Sequence, residues 1–315
     1  MIPYKVQFLI VIVVGCLALD SFAQTIAPSQ VEQQRQLDSV KPRFKTGEIP
    51  IASPTTDGDD DLGKQVLLRR QAERYKMFQV YADGMVVNTD NVFLTRNVTR
   101  GEVYYVGSFS ASMTPKIKNT FGDFTAQIYA REQIFRYDFL SVLDFNTLAG
   151  GVQLTQVFND AMGLNVYTGY SHSRFTSENT AIEFYREHDL NYGMYIPYQI
   201  APGHLAYLGG QFDYHASYPS KTTDDRCDYA AFFGYSVNIT RQLLAQLTYR
   251  YTFTENLDQF REDHNQVVGG SFNWNFTPYT SLKGFTSFTA NDSTLVAGDY
   301  NVFNVGGSLA LNVKF

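Results

Sequence analysis

Residues 300–315 read YNVFNVGGSLALNVKF. One parity of this stretch is Phe303, Val305, Gly307, Leu309, Leu311, Val313 and Phe315; the other is Asn304, Gly306, Ser308, Ala310, Asn312 and Lys314. Successive side chains of a strand point to opposite faces, so the segment has one greasy face and one small, polar face. A soluble core and a lipid bilayer can each take a greasy face, and alternation alone leaves both open. The ending adds something: the last residue is an aromatic in register with the greasy face, with no polar tail behind it.

That ending resembles the last strand of bacterial outer-membrane β-barrels. The resemblance implies that Phe315 forms part of an assembly signal, addressed to the barrel-assembly machinery, and that the partner of the greasy face is outer-membrane lipid.

Upstream the same pattern repeats. From Lys76 onward about twelve stretches have strand character, near 76–88, 101–113, 121–133, 146–158, 161–174, 182–197, 203–216, 227–240, 243–255, 264–277, 279–291 and 300–315, with no long helical period between them. Tyr229, Ala231, Phe233, Tyr235, Val237 and Ile239 share one parity; so do Ala245, Leu247, Tyr249, Tyr251 and Phe253, with Gln246, Thr248, Arg250 and Thr252 opposite. The joints carry a second signal. Even-to-odd joints are mostly short and turn-like, as at Ala201-Pro202-Gly203 and Thr277-Pro278. Odd-to-even joints are longer and polar: NTDNVFLTRNVTRGE (88–102), RYDFLSVLDFN (136–146), SYPSKTTDDR (217–226), ENLDQFREDH (255–264) and NDSTLVAGDY (291–300). Short turns at one rim and long loops at the other are the habit of transmembrane barrels, and a soluble sandwich has no reason to adopt it. Cys227, which directly follows the polar run that ends at Arg226, is expected in an outer loop, as is Arg261. Trp274, Phe276, Tyr279 and Phe315 would then lie at one rim and Tyr249, Tyr251 and Phe253 climb toward the other, as aromatic girdles do.

Composition agrees. Hydrophobic residues make up 44% and aromatics 15% of 315 residues, yet the mean hydropathy is −0.22. Sheets with one apolar and one wet face have this balance. The net charge of −6 lacks the clustered basic surface that nucleic-acid binding needs. Cys16 and Cys227 are the two cysteines, and with Cys16 in a leader no intramolecular disulfide is expected.

Residues 1–23 carry Lys5, an apolar run from Val6 to Leu19, and Ser21-Phe22-Ala23, the form of a secretory signal peptide too short to span a bilayer. Val13-Val14-Gly15-Cys16 also fits a lipoprotein leader with Cys16 as the lipidated residue, and both forms export the chain. Residues 24–75 are polar, interrupted by Pro42, Pro50 and Pro54, and hold too little apolar matter to fold alone. They read as a disordered periplasmic segment, a place for a periplasmic partner to bind. Asp57, Asp59 and Asp61 alternate as in calcium loops, but Leu68 stands where the twelfth-position Glu belongs, so this is a solvated acidic loop. Residues 76–315 are the barrel: all-β, antiparallel, up-and-down and transmembrane, with both termini on the periplasmic side.

DLGKQVLLRR at 61–70 and TDNVFLTRNVTRGE at 89–102 are similar to a family of bacterial outer-membrane β-barrel porins sometimes associated with exopolysaccharide loci. The resemblance covers roughly 61–315. It implies the outer membrane of a Gram-negative bacterium and a pore, and brings no catalytic residues with it.

The residues themselves point away from catalysis, cofactors and metals. His172, His188, His204, His215 and His264 show no HExxH spacing and no zinc-like Cys interval. No GxSxG elbow, P-loop or dinucleotide fingerprint occurs. Ser171, His172 and Ser173 alternate in direction and cannot pair within one strand. The charged strand residues are more informative. Assigning the polar parity to the lumen places Arg131, Arg250, Lys283 and Lys314 inside, together with Glu187, Asp189 and Asp213, since Arg or Lys facing lipid at mid-depth costs about 2–4 kcal/mol. Basic and acidic residues fall on different arcs. They either set a transverse field across a water-filled lumen or pair and plug it. The expected function is a passive or weakly selective pore for small polar solutes; the alternative is a structural or export-associated component, polysaccharide-related, with a closed lumen, and a barrel enzyme ranks behind both.

Overall fold

The computed structural model describes residues 76–315 apart from 116, 118–122, 159–162, 219–224 and 258–259; the leader and the 24–75 segment lie outside the described residues. Twelve strands follow one another: β1 (Phe78–Thr89), β2 (Glu102–Met113), β3 (Asp123–Tyr137), β4 (Phe145–Phe158), β5 (Leu164–Ser177), β6 (Glu183–Ala201), β7 (His204–Tyr218), β8 (Arg226–Asn238), β9 (Leu243–Asn256), β10 (Arg261–Asn275), β11 (Thr280–Ser293) and β12 (Tyr300–Lys314). Each pairs antiparallel with the next, and β12 returns to β1, so the sheet closes. Closure leaves no row of unpaired backbone groups, the condition for a sheet to stand in hydrocarbon.

The seam is in register from Gln79↔Lys314 to Thr89↔Asn304. It ends in a reciprocal backbone pair: Phe78 N donates to Phe315 O at 3.0 Å, and Phe315 N to Phe78 O at 2.9 Å. The two rings stack at 5.9 Å. This end of the barrel is the terminal rim, and the opposite end the distal rim.

The greasy parity of 300–315 faces outward: Phe303, Val305, Leu309, Leu311 and Phe315 are exposed, while Asn304 and Ser308 are buried on the inner face. The same holds around the ring, with Phe109, Leu148, Leu208, Tyr229, Leu247 and Phe272 all outward and exposed. An exposed apolar band on every side of a closed sheet is what a bilayer covers. Glu132, opposite Phe109 and Leu148, is a carboxylate standing in that band.

Three turns at the terminal rim, those joining β6 to β7, β8 to β9 and β10 to β11, are compact. Pro202–Gly203 joins β6 to β7, with Gly203 at φ +80°, a conformation that suits a residue without Cβ. The Thr240 hydroxyl accepts from the backbone N–H of Gln242 and Leu243, and Thr277 does the same for Tyr279 and Thr280. The hydroxyl closes each bend locally.

Two expectations about the distal joints are corrected. The polar run 255–264 is mostly strand: β9 continues to Asn256 and β10 starts at Arg261. Arg261 is therefore an inner-face residue, bonded to Asp263, rather than a loop residue. Cys227 likewise belongs to β8, between Tyr214 and Glu255 on the neighbouring strands, with its side chain outward and half-buried. Inward charges at the distal ends satisfy one another across strands, which lets the ladder run further than their polarity suggests.

On the inner face of the terminal half, aromatic rings lie over cross-strand glycines. The pairs are Tyr129/Gly151, Tyr167/Gly193, Tyr207/Gly234, Phe232/Gly209 and Phe285/Gly306. A Cβ on any of these glycines would overlap its ring. Each ring is thereby folded against the wall instead of projecting into the lumen.

Candidate functional site in the lumen

The inner wall changes character along the axis. In the distal half of β1–β6 it is apolar: Met85, Val87, Tyr104, Val106, Phe135, Tyr137, Phe145, Phe175 and Tyr185 form one buried cluster. Phe135 and Phe145 stack at 4.3 Å, and Phe175 meets Tyr185 edge-on at 5.2 Å. Two distal connections fold in to complete the cluster. Val92 from 90–101 is fully buried, with Asn91 Nδ2 donating to Thr95 O and Asn301 O. Leu143 enters from a 3-10 turn at Ser141–Leu143. Apolar side chains turned inward stay buried only where water is excluded, so this part of the lumen is packed.

The distal half of β6–β10 is the opposite, a buried polar network. His215 is its centre: Nδ1 lies 3.0 Å from Glu187 Oε1 and 2.5 Å from Asp189 Oδ1, and Nε2 lies 3.1 Å from Asp228 Oδ2. The register places these groups together, since Asp189 is opposite His215 and Asp213 opposite Asp228. Ser171 Oγ donates to Asp189 Oδ2 at 2.9 Å. Arg226 Nε and Thr254 Oγ1 donate to the two oxygens of Asp228 at 3.2 and 2.6 Å. Toward mid-height, Gln211 Nε2 donates to both oxygens of Asp213, and Arg250 Nη1 donates to Gln211 Oε1 at 3.2 Å. Arg250 Nη2 is 3.7 Å from Asp213 Oδ2. Small Ala230, between Gln211 and Thr252 in the register, leaves room for that reach.

Of the charges assigned to the lumen from sequence, the structure buries Glu187, Asp189, Asp213 and Arg250 on the inner face of β6–β9, with Glu187 and Asp189 around His215 and Arg250 against Asp213. Arg250 lies against Asp213 around the wall rather than on a separate arc. Arg131 is on the inner face of β3, 6.0 Å from the Tyr129 ring. Lys283 is on the inner face of β11, 5.7 Å from the Phe285 ring. Lys314 ends β12, opposite Gln79. Ser171 and Ser173 are buried on the inner face while His172 points outward beside His188.

Sequence reasoning gave no role to His215, Arg226, Asp228 or Gln211. A signal was there: Glu187-x-Asp189, Asp213-x-His215 and Arg226-x-Asp228 each put two ionisable groups on one face of a strand. What was missing is the cross-strand register that makes three such pairs one cluster.

No family model matches the chain, and no curated protein matches it in sequence. Among solved structures, the chain superposes on an outer-membrane channel from Pseudomonas putida F1 with a TM-score of 0.53 at 11% identity, over 76% of this chain and 96% of that one. The fold is that of an outer-membrane β-barrel. Weaker likenesses are to a bacterial polysaccharide outer membrane secretin (TM-score 0.46, 7% identity, 76% and 99% of the two chains). The transport unit of the autotransporter AIDA-I from Escherichia coli follows, with a TM-score of 0.45 and 11% identity over 79% and 94%.

Proposed function

We propose that this barrel is a narrow channel for small polar solutes in the outer membrane of a Gram-negative bacterium, with the terminal rim in the periplasm and the distal rim outside. The observation that carries the reading is the lining of the terminal half. Its inner face presents Ser108, Ser110, Ser112, Gln127, Gln153 and Thr248, and its rings are laid over glycines. Such a wall keeps a wet bore open where large inward side chains would fill it. The apolar cluster at the distal end narrows the passage and leaves the charged β6–β10 arc as its polar side.

The distal cluster also favours a second reading, a closed barrel with a structural or export-associated role. Single-channel recording in planar bilayers separates the two. The expected result is a small, steady conductance for the wild type, rising several-fold in the Phe135→Ala/Phe175→Ala double variant, whose rings stand in the cluster. Silence from both would promote the closed barrel.

Orientation is tested by cysteine accessibility in a Cys227→Ser background, because Cys227 faces outward from β8 and reports poorly on either compartment. Val98→Cys, in the exposed 90–101 connection, should react with a membrane-impermeant maleimide on intact cells. Thr277→Cys, in the turn between β10 and β11, should react only after lysis. The reverse pattern would invert the topology.

A further inference from the structure

We infer that Glu187, Asp189 and His215 form a binding site for a divalent transition-metal cation, zinc being the best match, inside the distal half of the barrel. One ligand atom from each of the three residues lies within 4.8 Å of the others, and all three residues are buried. Two carboxylate oxygens, Glu187 Oε1 and Asp189 Oδ1, converge on the same ring nitrogen, Nδ1 of His215. An imidazole nitrogen carries at most one hydrogen, so the two oxygens share a single donor there. A cation in its place takes all three ligand atoms at once. With bonds of about 2.0–2.2 Å, a zinc ion spaces its donors roughly 3–3.5 Å apart, so the observed separations of 3.0 and 2.5 Å need to open by under about an ångström.

The surroundings point the same way and do not depend on the acidic groups alone. A metal-binding histidine usually turns its other ring nitrogen to a carboxylate that fixes tautomer and orientation. Here Nε2 of His215 lies 3.1 Å from Asp228 Oδ2 without the alignment of a hydrogen bond, so a small turn of the ring completes the contact, and Asp228 is itself held by Arg226 and Thr254. Asp189 is aimed from the other side by the Ser171 hydroxyl. Asp189 thus has an orienting partner on β5, and the imidazole lies beside a carboxylate that β8 and β9 hold in place. One imidazole with two carboxylates is a mixed N/O set; the nitrogen favours zinc over magnesium or calcium, and manganese is the natural competitor. Asp228 acts as a positioning residue.

The test uses the folded, detergent-solubilised barrel, stripped with chelator and titrated calorimetrically with Zn²⁺ alone. One equivalent should bind. Glu187→Gln, Asp189→Asn and His215→Ala should each weaken binding by at least 100-fold, and Asp228→Asn by about 10–100-fold. The outward His172/His188 pair, with ring centroids 4.5 Å apart, is the rival zinc ligand, and His172→Ala should leave the titration unchanged. Visible absorption of the Co²⁺-loaded protein should report a nitrogen–oxygen ligand field that disappears in His215→Ala. Heat-modifiable gel mobility confirms that each variant is folded; the two amide variants preserve side-chain shape and keep the test open if His215→Ala does not assemble. No binding by wild type, or binding abolished by His172→Ala and kept by Asp189→Asn, overturns the proposal.

Discussion

Removing Lys314 and Phe315 should abolish the assembled barrel, whereas Phe315→Ala should only reduce it. The deletion takes away the reciprocal backbone pair between Phe78 and Phe315 and the Gln79↔Lys314 register position beside it. That opens the seam at its terminal end, frees the N–H and C=O of Phe78 at the rim, and removes the terminal aromatic altogether, leaving β1 and β12 unclosed where the ladder begins. Phe315→Ala keeps those bonds and loses the stacked ring, worth about 0.5–1.5 kcal/mol beyond its buried area, along with whatever the assembly machinery reads from it. The compact, heat-sensitive band on a gel reports both outcomes. A normal band from the deletion would mean that the seam closes without its last pair.

Arg250→Glu should destabilise the barrel by about 3–5 kcal/mol, the usual cost of stranding a buried charge. Arg250 is 5% exposed and supports Asp213 and Gln211 on β7. Reversal sets a second carboxylate beside Asp213 in a site of low effective dielectric. Arg96→Glu is the contrast. Its partner across the distal rim is Asp299 at 3.5 Å, and its side chain is 67% exposed, so the loss should stay within about 1 kcal/mol. Urea unfolding in lipid vesicles measures both. If the variant conducts, its reversal potential under a salt gradient should shift toward cations, while that of Arg96→Glu is largely screened at physiological salt. Equal, small effects at the two positions would show that the network around Arg250 is wet.

The barrel was legible because lipid and lumen impose opposite chemistry on alternate residues, as in 300–315 and 245–253. Where that contrast fails, so did the reading. In Met85-Val86-Val87, Val86 faces lipid while Met85 and Val87 enter the distal cluster; both faces are dry, parity carries no information, and the packed distal lumen left no trace in the pattern. The 255–264 run misled for the converse reason: Arg261 and Asp263 are charged but paired to each other, so polarity there marks an inner strand face and not a loop. Asp189, His215 and Asp228 come from three strands, and only the register brings them within bonding distance. A single sequence does not contain that register.

The rings folded over glycines also say how this lumen can and cannot change over generations. Tyr207 and Gly234 share one volume, so they behave as a single heritable unit. A bulkier residue at 234 alone expels the ring, and a smaller one at 207 alone leaves bare backbone beneath it. Substituted together they should cost less than the sum of the two. Descendants that widen or narrow the bore would therefore have to do so in correlated cross-strand pairs, one pair at a time, while the hydrogen-bonded frame stays as it is.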